Sequence, residues 1–187
     1  MSGTKFAKLA SPDFCKFCYW VFLLIDQKPP FDMFPGIFSS IDRYTKNLVH
    51  AFFDEYEEAP ACLEGFEDAV DYLEVGRLQY FDEASGILVT GEPDDVFTLT
   101  DAYLGLVDYK TARFPKALEN QDDSESSKLL PRYTVQLNVY DYLLEKNDFA
   151  KCKKAALVYF NPLLSSPPLS SLIVGTTGGS RWGSRPR

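Results

Sequence analysis

Asp94, Asp108 and Lys110 are the residues of this 187-residue chain whose types and spacing could do chemistry. Lys110 follows Asp108 by two positions in Leu106-Val107-Asp108-Tyr109-Lys110-Thr111, an aliphatic and aromatic run that reads as a strand. Period two sets Leu106, Asp108 and Lys110 on one face, so an acid and a base share one side. In an otherwise apolar strand, such charges cost several kcal/mol in desolvation unless they pair or bind a metal. Asp94 follows the bend Gly91-Glu92-Pro93 and opens the strand Asp95-Val96-Phe97-Thr98-Leu99. If that strand pairs with the next as a hairpin, Asp94 lies near Asp108. Two converging carboxylates and a lysine make a site for a hard divalent cation, Mg2+ or Mn2+.

Each residue alone also has an ordinary structural explanation. Asp108 and Lys110 can be a same-face ion pair on a half-exposed sheet, and Asp94 a turn residue. Gln136 and Tyr140, four apart, can simply share a helical face. It is the joint pattern that points to a metal site.

The elements that must position these residues follow from periodicity. Residues 1–10 carry three lysines and little pattern and read as a frayed start. Ser11-Pro12-Asp13 is a helix-start signal, with Ser11 as N-cap, for an aromatic helix running to Asp26 and buried on the sheet. A second helix spans about Ile37 to Glu58, with Phe38, Ile41, Thr45, Leu48, Phe52 and Tyr56 as its core stripe. At about 100° per residue, His50 falls opposite that stripe and faces solvent, whereas Asp42 lies at its edge, one turn before a pairing partner, Lys46. Ala61 to Tyr72 reads as a short acidic helix. Three strands follow: Arg77–Phe81; Ile87–Thr90, continuing past the bend as Asp95–Leu99; and Leu104–Thr111. Glu119 to Lys128 is a polar loop. Pro131 to Lys146 is a helix presenting Gln136 and Tyr140, with Arg132 a turn earlier as a possible phosphate contact, and Ala155–Phe160 is a last strand.

At these residues the chain resembles the PD-(D/E)XK nuclease superfamily, in particular its RecB-like branch, which includes CRISPR-associated exonucleases. Gly91-Glu92-Pro93-Asp94, Asp108-Tyr109-Lys110 and Gln136-Leu137-Asn138-Val139-Tyr140 match its three motifs in order. The resemblance implies an α/β (α+β) fold, an αβββαβ mixed sheet flanked by helices, over residues 11–162. It implies a metal-dependent nuclease hydrolysing DNA phosphodiester bonds. Asp94, Asp108 and the main-chain carbonyl of Tyr109 would hold Mg2+ or Mn2+, Lys110 would act on the attacking water, and Gln136 and Tyr140 would position the strand. The family commonly adds a Glu or His ligand from the second helix, for which Asp42 is the candidate here. It also implies a partner protein in a larger repair or defence assembly. The competing expectation is a catalytically inactive module of the same fold that binds nucleic acid or protein.

Composition bounds these expectations. The chain is long enough for one domain with a sizeable core. A net charge of −8 and a pI near 4.7 exclude a strongly basic nucleic-acid coat, so DNA affinity should be weak and salt-sensitive. The longest apolar run, Tyr19–Ile25, falls far short of the roughly 20 residues a membrane span needs, and a cytoplasmic protein is expected. Of Cys15, Cys18, Cys62 and Cys152, only the last follows the motif residues. That spacing disfavours an iron–sulfur cluster, and packed free thiols are expected. Residues 163–187, rich in Ser, Pro, Gly and Arg, read as an unstructured or truncated tail.

Overall fold

The computed structural model describes residues 1–25, 36–111, 124–160 and 169–176; for residues 25, 36–39, 124–129, 160 and 169–176 it describes the backbone alone. In chain order the elements are α1 (Gly3–Ala7), α2 (Lys16–Ile25), α3 (Gly36–Tyr56), β1 (Ala69–Leu73), β2 (Leu78–Asp82), β3 (Ile87–Gly91), β4 (Asp95–Leu99), β5 (Leu104–Thr111), α4 (Ser124–Lys146), β6 (Cys152–Phe160) and β7 (Leu169–Thr176). Five strands form a mixed sheet in the order β1-β4-β5-β6-β7, while β2 and β3 pair separately as a hairpin. Among the described strands of this sheet only β5 and β6 pair in parallel, joined through α4; its other strand pairings are antiparallel. The expected αβββαβ mixed sheet is therefore present as α3-β1-β4-β5-α4-β6.

Strand alternation in β5 divides the core. Leu104 and Leu106 point to the α4 side and pack with Leu137, Tyr140, Leu143 and Leu157. Val107 and Tyr109 point to the α3 side and pack with Val49, Phe53, Phe97 and Val158. Asp108, only 1% exposed, takes the α4 side with Leu106.

Several local expectations give way. Residues 1–10 are not frayed. Ser2 caps α1 by accepting from the Lys5 N–H, Gly3 and Ala7 are buried, and Ser2 bridges Thr90 of β3. Ser11 closes a turn onto the Phe14 N–H, so the second helix starts at Lys16, with the Cys15 sulfur accepting from the Cys18 N–H at 3.3 Å. That helix does not bury its aromatic ridge: Phe17, Trp20 and Leu24 are all more than half exposed.

The supposed acidic helix up to Tyr72 is instead turns followed by β1. As an edge strand bonded only to β4, with a register shift between Ala69 and Asp71, it lacks the clean alternation that would have announced it. The first core strand is consequently Ala69–Leu73, and Arg77–Phe81 falls largely within β2 of the separate hairpin. β3 and β4, expected as one strand bent at Pro93, belong to different sheets. Helix α4 starts at Ser124, carrying Pro131 inside it, so Ser124 to Lys128 are helical; residues 119–123 of the expected loop lie outside the described residues. The expected unstructured tail contains β7, which pairs with β6 from Phe160↔Leu169 to Lys154↔Thr176; residues 163–168 and 177–187 lie outside the described residues.

Candidate active site

The site begins at the bend between the two sheets. A Cβ on Gly91 would lie 2.7 Å from Leu143 Cδ1 and 2.9 Å from Tyr140 Cδ1, both on α4. Lacking one, Gly91 lets the backbone approach α4, and the chain turns through Pro93 from β3 into β4. Asp94 lies between the two strands. Its Oδ2 accepts from the main-chain N–H of Tyr109 at 2.9 Å, and its carbonyl oxygen accepts from Lys46 Nζ at 2.6 Å.

On β5, Lys110 pairs with Oδ2 of Asp108. Asp108 Oδ1 accepts from Gln136 Nε2 at 3.2 Å, and the same amide donates to the Tyr140 hydroxyl at 2.8 Å. Asp94, Asp108, Lys110, Gln136 and Tyr140 are thus brought together by the bend, the central strand and one face of α4. Of these, Lys110 and Gln136 also line a cleft of about 260 Å³, together with Thr4, Ala7, Asp42, Tyr109, Thr111, Arg132 and Tyr133. Asp42 stands at its rim, accepting from the Thr111 hydroxyl at 2.6 Å, and the Lys110 ammonium lies 4.9 Å from the Tyr133 ring centre.

Burial and charge set the protonation states. Burial, reinforced by Asp108, pushes the Asp94 carboxyl up to about 7 against the opposing pull of Lys110 and the Tyr109 N–H. Burial alone would lower Lys110, but the Asp108 and Asp94 carboxylates outweigh it and hold the ammonium above its ordinary value. Lys110 is therefore a fixed positive charge rather than a proton acceptor near neutral pH. Tyr140 is pushed up to about 12, chiefly by burial and then by Asp108, so it remains a hydroxyl.

These residues fit a hard divalent cation. Lys110 pairs with Asp108, while burial first and the Asp108 charge second keep the Asp94 carboxyl raised, so a cation between the two would favour its ionised form. Their donors are oxygens, as Mg2+ and Mn2+ prefer. Among the described residues no group of three or more His, Cys, Asp or Glu side chains forms a metal cluster. The remaining positions would fall to water, substrate oxygens or main chain, which suits a cation that keeps much of its hydration. The cysteines lie elsewhere: Cys15 and Cys18 are exposed at α2, Cys62 packs with the α3-side core and Cys152 is buried on the α4 side.

Three expectations about α3 fail. Its buried ridge is Thr45, Val49 and Phe53, while Leu48 and Tyr56 are about half exposed. The helix is rotated by about one residue from the stripe read in the sequence. His50 therefore does not face solvent; its Nε2 lies 2.8 Å from Asp95 Oδ1, and its ring stacks on Tyr72 at 3.8 Å. Lys46, expected to pair with Asp42, reaches Asp94 and Asp95 instead. Sequence reasoning missed Lys46, His50 and Asp95. The signal available was Asp95 itself: a carboxylate at the start of an otherwise apolar strand is liable to be buried, and a buried carboxylate demands a partner.

A family model for the PD-(D/E)XK nuclease superfamily matches residues 27–171, a span that contains all three motifs. No curated protein matches the sequence. A solved structure described as "Crystal structure of SSO0001" is similar at 13% identity and a TM-score of 0.43, covering 94% of this chain and 67% of that one. With more than half of its length matched by the family model, the chain belongs to the PD-(D/E)XK nuclease superfamily.

Proposed function

We propose that this domain is a divalent-metal-dependent deoxyribonuclease of the RecB-like branch. The observation that carries the reading is the convergence of Asp94, Asp108 and Lys110 beside a cleft that Lys110 and Gln136 line, with Gln136 joined to Asp108 and to Tyr140 from α4. The Gln136/Tyr140 pair is the support for the RecB-like branch, and a phosphodiester substrate follows from membership of a nuclease superfamily.

Asp94 and Asp108 would hold Mg2+ or Mn2+ with the Tyr109 carbonyl as a further oxygen donor, and Asp42, bonded to Thr111, would reach the cation only through water. When bound, the cation supplies positive charge at the phosphate and makes water more acidic. Lys110, held charged, orients the attacking water and offsets negative charge growing on the phosphoryl oxygens as the new P–O bond forms and the scissile one breaks. Gln136 fixes the Asp108 carboxylate from α4. It also occupies the Tyr140 oxygen as a donor, leaving the hydroxyl proton for the nucleic-acid strand. Arg132, on the cleft wall, can donate to a flanking phosphate.

The test is Lys110→Met assayed on labelled single- and double-stranded DNA with Mn2+. Cleavage should fall by at least about 100-fold, the scale for removing a transition-state charge donor, while circular dichroism is retained. A Lys110→Met protein that cleaves like wild type would remove the assignment. Wild-type binding of DNA that ignores chelators, without cleavage, would favour the non-catalytic module.

A further inference from the structure

The α3 side of the sheet holds a buried charge cluster that the proposed chemistry does not use. Asp95 opens β4, and its carboxylate is fully enclosed among side chains of α3 and β5. Oδ1 and Oδ2 lie 2.8 and 3.0 Å from His50 Nε2, the Tyr109 hydroxyl donates to Oδ2 at 2.9 Å, and Lys46 Nζ lies 3.6 Å from Oδ1.

Two of these partners also touch Asp94. Lys46 donates to its carbonyl oxygen at 2.6 Å, and the Tyr109 main-chain N–H donates to its carboxylate at 2.9 Å. Tyr109 thus grips both aspartates, one by its backbone and the other by its hydroxyl, while Lys46 spans the same two residues. Asp94 needs such support. It lies after the last residue of β3 and before the first of β4, outside both ladders. A buried ionic cluster is often no more stable than an apolar set of the same size, so what it offers is fixed geometry.

We propose that Lys46, Asp95 and the Tyr109 hydroxyl form a brace that holds the Asp94 carboxylate in place against Asp108, making them positioning residues for cleavage. The catalytic consequence rests on the nuclease reading; the brace itself does not. It assigns different duties to consecutive aspartates: Asp94 to the cation beside Asp108, Asp95 to the support behind it.

The experiment compares the full chain with Lys46→Met, Lys46→Arg and Tyr109→Phe by two readouts. One is the amide proton resonance of Tyr109, which reports its bond to Asp94 with or without metal. The other is calorimetric Mn2+ affinity. Lys46→Met should move the Tyr109 amide upfield. It and Tyr109→Phe should each raise the Mn2+ dissociation constant roughly 10- to 100-fold, the scale for outer partners of metal ligands. Lys46→Arg should restore both readouts. If Lys46→Met lowers only the melting temperature and leaves the Tyr109 amide and Mn2+ affinity unchanged, the cluster is merely structural and the brace is overturned. If wild type binds no Mn2+ but the Tyr109 amide still moves in Lys46→Met, the brace stands and the nuclease reading falls.

Discussion

At the residue scale, Asp94 links the site to pH. Its folded value near 7 lies above the ordinary 3.8, so the folded state favours the neutral acid. The corresponding stability is fully present below the unfolded value and is lost as pH rises through about 7. Chelator-treated protein should therefore lose melting temperature between about pH 4 and about pH 7, and Asp94→Asn should flatten that loss. A cation favours the ionised form, so Mn2+ should stabilise wild type more at the higher pH and release protons near pH 6. Equal proton release by wild type and Asp94→Asn in buffers of different ionisation enthalpy would contradict this assignment. On the α3 side, Asp95→Leu should cost less stability than His50→Ala. The first removes a buried charge, whereas the second leaves it buried with one partner fewer, at about 1.5–3 kcal/mol for a hydrogen bond to a charged group. Urea unfolding of the two variants decides the order. Asp94, Asp108, Lys110, Gln136 and Tyr140 were legible because each sits in a short motif whose spacing survives without knowledge of contacts. His50 was not, because its direction depends on a helix rotation of about one residue, which Thr45, Val49 and Phe53 settle by packing against the sheet.

At the element scale, the bend and α4 behave as one unit. Gly91→Ala would drive a methyl into Leu143 and Tyr140, and overpacking of this kind costs about 1–3 kcal/mol. It should also displace Tyr140 from Gln136, reducing cleavage more than the lost stability explains. Chemical denaturation alongside initial rates at a temperature where both proteins are folded makes the comparison. The glycine of the first motif and the tyrosine of the third are thus coupled by contact, which no sequence spacing reveals. Strand β7 is a second such case. It covers β6, whose Ala155 to Val158 are wholly buried, so a chain ending at residue 162 should expose that edge and aggregate. Size-exclusion chromatography of that truncation tests it. The tail composition concealed β7 for the same reason that charged residues concealed β1: an outer strand has one pairing neighbour and carries a weaker pattern than β5.

At the scale of the whole molecule, a chain of net charge −8 would have to bind the acidic substrate proposed for it, with Lys110 and Arg132 at the cleft as local positive charge. DNA binding should weaken steeply from about 50 mM to about 200 mM salt, seen as a rising KM with less change in kcat. A KM indifferent to salt would place the main substrate contacts away from phosphates. Among the described residues no helix is long and apolar enough to cross a membrane. The order α3-β1-β4-β5-α4-β6 was readable as an architecture even with its first strand misassigned, because the bend, the central strand and the helix after it carry both the core pattern and the motifs. The central claim is that Asp94 and Asp108 hold a cation on which cleavage depends. Calorimetric titration of Mn2+ into wild type and Asp108→Asn, with cleavage of labelled DNA followed in the same samples, tests it most directly. Binding and cleavage should both be present in wild type and both vanish in the variant; Mn2+ binding or cleavage that survives in Asp108→Asn would contradict the claim.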